Sequence, residues 1–376
     1  MKIPFNKPYL SGKEIENVTS AALWGHISGN GVYTQKCHGF FEEKYGFRKC
    51  FLTTSCTDAF EMAVMLMDLQ KGDEVIMPSF TFVSTANPFL LTGAKIVFAD
   101  SMLSHPNIDL DKVEELITEK TRVLVVMHYG GVAVDMDKAL ELAKKHNLIL
   151  LEDVAHAIDS FYKEKPLGSF GDFAAFSFHE TKNISAGEGG LLAINNKKYI
   201  ERADIIWEKG TNRAAFSRGE VNKYEWVDIG ASFPPSDIIA AVLFAQLESI
   251  EDIQRKRVSI WERYYSALKH LEDKGLVKLP RLPEYATNNG HLFYLQTDDQ
   301  EQRDEMLDFL NNNEVHAVFH FIPLHSSPFY AAKHDGRELA NADRFSNTIL
   351  RLPFFYELPL EVVDIICEQV EKFYFS

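Results

Sequence analysis

The chain is poor in cysteine, with four in 376 residues (Cys37, Cys50, Cys56 and Cys367). They are scattered and make no CxxC pair, which excludes a disulfide framework and the common zinc modules. Cations are also scarce. Lys plus Arg number 39 against 54 for Asp plus Glu, a formal net charge of −15. A phosphate backbone needs a positive footprint, and no Lys/Arg cluster stands out. No apolar run reaches the length that spans a bilayer. The opening Met-Lys-Ile-Pro-Phe-Asn-Lys-Pro lacks the apolar stretch of a signal peptide. The expectation is a cytoplasmic protein that binds neither nucleic acid nor membrane. Gly25–Gly31 does not spell GxGxxG, and nothing matches a P-loop or a G-x-S-x-G elbow. Repeats and low-complexity segments are missing too.

What is present is apolar material, 46% of the chain, enough to offset ordering entropy. It falls in short blocks. Glu74–Met77, Lys95–Ala99, Arg122–Met127, Leu148–Leu151, Phe173–Phe178 and Gly190–Ile194 read as strands. Between and around them, Cys37–Tyr45, Asp58–Leu69, Phe82–Leu91, Leu110–Ile117 and Met136–His146 read as helices, the third weakened by Pro88. Strands that are nearly all apolar belong to a sheet covered on both faces, an α/β fold. Polar residues recur past their ends: Ser79, Asp100, His128, Asp153 and His179. Ligands of open α/β sheets sit at that edge. One long helical stretch, Ile238–Tyr265, marks a boundary near 245–265. Beyond it, Phe293–Leu295 and His316–Ile322 (strands) and Arg303–Asn311 and Leu360–Phe373 (helices) suggest a smaller α+β unit.

The segment Ser177-Phe-His-Glu-Thr-Lys182, followed by Gly187-Glu-Gly-Gly190, runs from a strand into a polar turn and back into a strand. A solvated turn lysine is the commoner reading by composition alone. The chemical reading is an amine nucleophile able to form a Schiff base. Asp153 follows another strand, with His156 beside it on the same edge. A helix cap explains it; so does a carboxylate that keeps a ring nitrogen protonated. Thr53–Asp58 opens a helix with hydroxyls, which suits an anion as well as an ordinary cap. Phe82 is either core or an aromatic lid over a planar group. His316 and His320 alternate as on a strand face and lack a carboxylate or cysteine to complete a zinc set. His325, after Pro323, is a candidate pocket residue.

Together these residues resemble the sugar-nucleotide aminotransferases of the fold-type I pyridoxal-phosphate superfamily. The sharpest match is Glu152-Asp-Val-Ala-His156 with Ser177–Lys182 and Gly187–Gly190. Ser55-Cys-Thr57, Pro78–Phe82 and Phe321–His325 also fit, and the likeness covers essentially the whole chain, from Pro4-Phe-Asn6 to Arg351-Leu-Pro-Phe354. It implies an N-terminal arm (1–12), a large pyridoxal-phosphate domain with a mostly parallel sheet (13–250) and a small C-terminal domain (251–376). It implies Lys182 as the Schiff-base lysine, Asp153 on the pyridine nitrogen and His156 against the ring. Phe82 falls over the ring, Cys56, Thr57 and Ser177 at the phosphate, and His325 in the sugar pocket.

One stretch departs from the family pattern. Gly230-Ala-Ser232-Phe-Pro-Pro235 replaces a segment whose asparagine reaches the partner subunit's cofactor phosphate. Ser232 takes that position with a shorter reach. The resemblance further implies L-glutamate as donor, a nucleotide-sugar acceptor (a dTDP-4-keto-6-deoxyhexose first, a 3-keto or UDP-linked sugar next) and a homodimer with shared sites. Arg213, Lys223 and Arg218 are candidates to meet the anionic substrate; ordinary surface charge is their competing reading. Dehydratases of the same family replace the lysine with histidine, and Lys182 argues against that chemistry. A non-catalytic binding protein on this fold is the alternative of a different class; intact Lys182 and Asp153 argue against it.

Overall fold

A computed structural model describes residues 2–375. Its main sheet has seven strands: β1 (Lys49–Thr53), β2 (Glu74–Pro78), β3 (Lys95–Ala99), β4 (Thr121–Met127), β5 (Ile149–Asp153), β8 (Phe173–Ser177) and β9 (Gly190–Ile194). Between β5 and β8 lies a small ribbon, β6 (Phe161–Tyr162) with β7 (Lys165–Pro166). The strand order is β1-β9-β8-β5-β4-β2-β3. β9 runs antiparallel to both neighbours and every other pairing is parallel.

Period-2 alternation sends successive side chains to opposite faces. Val123, Val125 and Met127 of β4 enter one apolar layer, Leu124 and Val126 the other. Both layers are closed by helices, which is why these strands contain so little polar sequence. The helices are punctuated as their sequences require. Ser55 caps Cys56–Met67, its hydroxyl accepting from Asp58 N at 3.1 Å. Asp135 caps Met136–His146 in the same way, and Asn147 ends that helix in the left-handed region at φ 53°. Pro88 is tolerated inside Val83–Leu91.

Two expectations are corrected. The stretch Ile238–Tyr265 is two helices, Asp237–Glu248 and Ile250–Asp273, because Ser249 leaves helical geometry. Within His316–Ile322 only Val318–Phe319 forms a strand, β11. It lies in a second, antiparallel sheet ordered β10 (Tyr294–Gln296), β12 (Ile349–Arg351), β11. A third apolar cluster, from Ile260 through Phe293 to Val370, packs around that sheet and takes in Ile3. The start of the chain is held there: Ile3 bridges to Val315, and Phe354 N donates to Phe5 O at 2.9 Å. Among the described residues no helix is long and apolar enough to cross a membrane.

Candidate active site

The register of the sheet gathers distant residues at one edge. Met127 pairs with Asp153, and Asp153 with Ala175, so all three lie at one level. Ser177 and Thr53 both pair with Gly190. Over this edge opens a cavity of about 590 Å³. Cys56, Thr57, Phe82, Asp153, His156, Ser177 and Lys182 all line it, though they come from widely separated parts of the sequence. A more open concavity of about 870 Å³ lies along the helix Val32–Tyr45, away from these strand ends.

Lys182 sits in the loop between β8 and β9. That loop is tied by Ala186 N to Phe178 O (2.8 Å), Glu180 N to Gly187 O (2.9 Å) and Lys182 N to His179 O (2.9 Å). Burial pulls the amine down to about 8, against the opposing pull of Cys56 and Asp153. The next residue is an anchor. Asn183 donates to Gln254 Oε1 (2.9 Å) and to Asn289 O (2.8 Å), and its Oδ1 pairs with His291 Nδ1 at 2.8 Å.

Asp153 is buried at the end of β5. Its Oδ2 accepts from Thr85 Oγ1 at 2.7 Å and its Oδ1 from Ala155 N at 3.1 Å. Burial nevertheless pushes the carboxyl above its ordinary range, the hydrogen bonds and Lys182 offsetting only part. A carboxyl in that state gains from a cation placed against it. His156 is buried, and burial holds it neutral, with Lys182 and Arg351 pushing the same way. Its Nδ1 accepts from Gly130 N at 3.3 Å, which leaves the ring proton on Nε2. The ring stacks on His291 at 4.2 Å between centroids.

The helix Cys56–Met67 presents its N-terminus to the cavity, where the first N–H groups have no partner inside the helix. Thr57 adds a hydroxyl, bonded to Ser84 Oγ at 2.7 Å. β9 passes so close that a Cβ on Gly190 would collide with the Ser55 carbonyl and the Cys56 nitrogen. Burial keeps the Cys56 thiol protonated. Phe82 caps the next helix and leaves 56% of its surface exposed at the cavity mouth. The lining therefore suits a flat group with one anionic end, a ring nitrogen that takes a proton and a carbon open to an amine. Pyridoxal phosphate has those parts.

The other sequence-predicted residues lie outside this lining. Ser232 is exposed and bridges to Glu208, while the next residue, Phe233, accepts from Thr54 N at 3.1 Å. Arg213 and Lys223 are exposed on the 213–229 excursion, and Arg218 pairs there with Asp204 and Glu220. His325 is buried outside the lining, its Nδ1 2.7 Å from Ser79 Oγ and its Nε2 3.5 Å from Asp343. Conversely, the cavity contains residues the sequence did not single out for it: Thr85, His291, Arg351, and Phe5 and Asn6 of the N-terminal segment. The Pro4-Phe-Asn6 and Arg351-Leu-Pro-Phe354 matches gave the only signal for any of them.

A lysine loop facing a buried carboxylate, at the carboxyl edge of a mainly parallel sheet, is the arrangement of an amino-group-transferring α/β enzyme. The chain belongs to the DegT/DnrJ/EryC1/StrS aminotransferase family, whose model matches residues 8–371. It is 33% identical to the spore coat polysaccharide biosynthesis protein SpsC of Bacillus subtilis (strain 168), over 98% of this chain and 96% of that one. It is 32% identical to the GDP-perosamine synthase of Escherichia coli O157:H7, over 99% and 98%. Among solved structures, Spr1654 of Streptococcus pneumoniae in its PMP form superposes with a TM-score of 0.91 at 25% identity, covering 99% of this chain and 98% of that chain. Its PLP form gives a TM-score of 0.89, also at 25% identity and the same coverage.

Proposed function

We propose that this aminotransferase uses pyridoxal phosphate to move the amino group of L-glutamate to carbon 4 of dTDP-4-dehydro-6-deoxy-D-glucose. The product is dTDP-4-amino-4,6-dideoxy-D-galactose, and the cycle is ping-pong. One observation carries the reading: Lys182 and Asp153 face the same cavity, the amine lowered and the carboxyl raised by burial.

Bound there, the cofactor supplies an electron sink. Lys182 Nζ would hold it, and the same amine would be the base that takes the proton from the donor's α carbon and the acid that returns it. Lowered to about 8, the amine has a far larger neutral fraction at neutral pH than an ordinary lysine, which that task requires. Asp153 holds the proton on the ring nitrogen. His156 presents its Nε2–H toward the ring. Cys56 and Thr57 at the helix start, with Ser177, hold the phosphate, and Phe82 shields the ring from water.

The dTDP-hexose assignment is supported by the likeness of Ser55-Cys-Thr57 and Glu208–Arg213 to the corresponding segments of dTDP-4-oxo-6-deoxyglucose transaminases. We assign the sugar pocket to His325, with Arg213 and Lys223 meeting the diphosphate. Ser232 reaches a partner subunit's phosphate in a cytoplasmic homodimer with shared sites. The exposure of Tyr224, Trp226, Val227 and Ile229 along one excursion supports such an interface. The division into arm (1–12), large domain (13–250) and small domain (251–376) is part of the same proposal, supported by the helix break at Ser249. The amino sugar serves a surface glycan.

The test incubates the protein with pyridoxal phosphate, L-glutamate and dTDP-4-dehydro-6-deoxy-D-glucose, and reads the product by mass spectrometry and proton NMR. An axial amine at carbon 4 is expected. An equatorial one makes it the gluco enzyme. No amine, with turnover instead on a 3-keto, GDP- or UDP-linked sugar, refutes the substrate assignment.

A further inference from the structure

The turn from Asn288 to His291 lies between the lysine loop and the helix Ile250–Asp273, and it is pinned from both sides. Arg257, on that helix, donates from Nε to Gly290 O and from Nη2 to His291 O, both at 2.9 Å. Burial alone pulls this guanidinium down to about 9, and no carboxylate pairs with it among the described residues. Desolvating such a group costs stability unless its hydrogen bonds are made, so turn and arginine fix each other. Gly290 adopts φ 57° and passes so near the helix that a Cβ would strike the Arg257 carbonyl. On the other side Asn289 Nδ2 donates to His156 O and Ile158 O, both at 2.9 Å, while its Oδ1 accepts from His291 N at 3.1 Å.

The His291 ring leaves this turn with its tautomer set. Both amide hydrogens of Asn183 go to Gln254 Oε1 and Asn289 O, so Asn183 Oδ1 is left to accept. His291 Nδ1 therefore donates to it across 2.8 Å, and Nε2 keeps the lone pair. His156 is the opposite case, with its proton on Nε2 because Nδ1 accepts from Gly130 N. The two rings stack with 23° between their planes. Burial above all, then His156, Lys182, Arg257 and Arg351, keep His291 neutral, so the stack brings no charge to the cavity. We propose that His291 is a positioning residue for the reaction: its Nδ1–H holds Lys182 in place through Asn183, and its ring face holds His156. This deepens the aminotransferase reading above. One side chain thereby sets two groups that come from different strand ends.

The test compares His291→Phe, which keeps a ring but no donor, with His291→Asn, whose Nδ2 stands in for Nδ1 but leaves no ring. Both are measured first on the cofactor-free full chain. The reactivity of Lys182 toward acetic anhydride as a function of pH, read by peptide mass spectrometry, reports the amine, and NMR of histidine-labelled protein reports the rings. Wild-type protein shows the His291 proton on Nδ1 and the His156 proton on Nε2. In His291→Phe the Lys182 midpoint rises by about 0.5–1 pH unit as the loosened loop admits water, the effect of one lost hydrogen bond. His156 stays neutral in that variant. In His291→Asn the lysine midpoint returns to the wild-type value, while His156, now open on one face, titrates between about pH 5 and 7. In the holoenzyme the pH midpoint of the cofactor's absorbance shifts in His291→Phe and recovers in His291→Asn. A His291 protonated on Nε2 in the wild-type protein overturns the proposal without recourse to a variant. Lysine and histidine profiles that move together in both variants would make His291 an ordinary packing residue, and profiles that do not move would leave it no role; either overturns the proposal. Wild-type protein that gains no visible absorbance with pyridoxal phosphate would instead overturn the aminotransferase reading, and the cofactor-free measurements would still judge His291.

Discussion

Thr85 Oγ1 donates to Asp153 Oδ2 across 2.7 Å, linking the helix Val83–Leu91 to the carboxyl end of β5. Because that hydroxyl proton goes to the carboxylate, Thr81 Oγ1, 2.8 Å away, must donate to Thr85 in turn. The relay favours the charged form of Asp153 against the burial that disfavours it. Replacing Thr85 with Val removes the donor at nearly constant volume. Turnover should fall by about tenfold, the worth of one hydrogen bond to a charged group. Asp153→Asn should cost at least ~10²-fold, since the ring nitrogen loses its anionic partner altogether. Steady-state kinetics at saturating substrate checks both. A Thr85→Val enzyme as active as wild type would sever the relay from catalysis.

Gly190 makes a packing prediction. β9 presses its backbone against the Ser55–Cys56 turn, and a methyl group there has no room. Gly190→Ala should push the helix start out of place, at a stability cost of about 1–3 kcal/mol. Cofactor retention through dialysis should drop while the circular dichroism of the fold persists. Retention equal to wild type would show that this close approach does not shape the phosphate end.

Asn183 stands next to Lys182 and makes three buried hydrogen bonds. Asn183→Leu leaves Gln254, the Asn289 carbonyl and His291 short of a partner. We expect a loss of about 2–4 kcal/mol in stability, together with weaker cofactor binding. Denaturation of the holo and cofactor-free forms separates the two effects.

Lys182 predicts a pH dependence. The folded amine lies near 8 and its ordinary value is 10.5. Between those values the unfolded chain binds the extra proton, so stability of the cofactor-free protein rises with pH across that window. Below about 8 the penalty is present in full. Lys182→Met should therefore be the more stable protein at pH 7, by up to about 3 kcal/mol, and should lose that part of the slope. Thermal melting of both proteins from pH 7 to 10 checks the sign. Parallel curves would mean that the amine is not desolvated.

Much of the main sheet was legible because apolar strands covered on both faces advertise themselves. Lys95–Ala99 and Gly190–Ile194 have the same bounds in the sequence reading and in the structure. The edge strand β1 was not, because its Cys50-Phe-Leu52 run is short and merges into the polar helix start. β12 was missed for a related reason: three residues become a strand only once β10 and β11 flank them. In the site, Asp153 and His156 drew notice as polar residues just past a strand end, whereas composition alone favoured a solvated turn for Lys182; the likeness of Glu152–His156 and Ser177–Lys182 to the family pattern singled out all three. His291 and Arg351 lie in irregular or three-residue segments more than a hundred positions from Lys182, and only tertiary packing brings them to it. The surface residues Arg213 and Lys223 carried no local signal separating them from ordinary charge.

The central claim is that Lys182 carries the cofactor. Holo-protein reduced with borohydride fixes a lysine–cofactor linkage irreversibly, and peptide mass spectrometry then locates it. The account predicts a pyridoxyl-phosphate mass on the single peptide containing Lys182, and none on the Lys182→Ala protein. The same mass on another lysine, or a Lys182→Ala enzyme that still transfers amino groups at the wild-type rate, would contradict it.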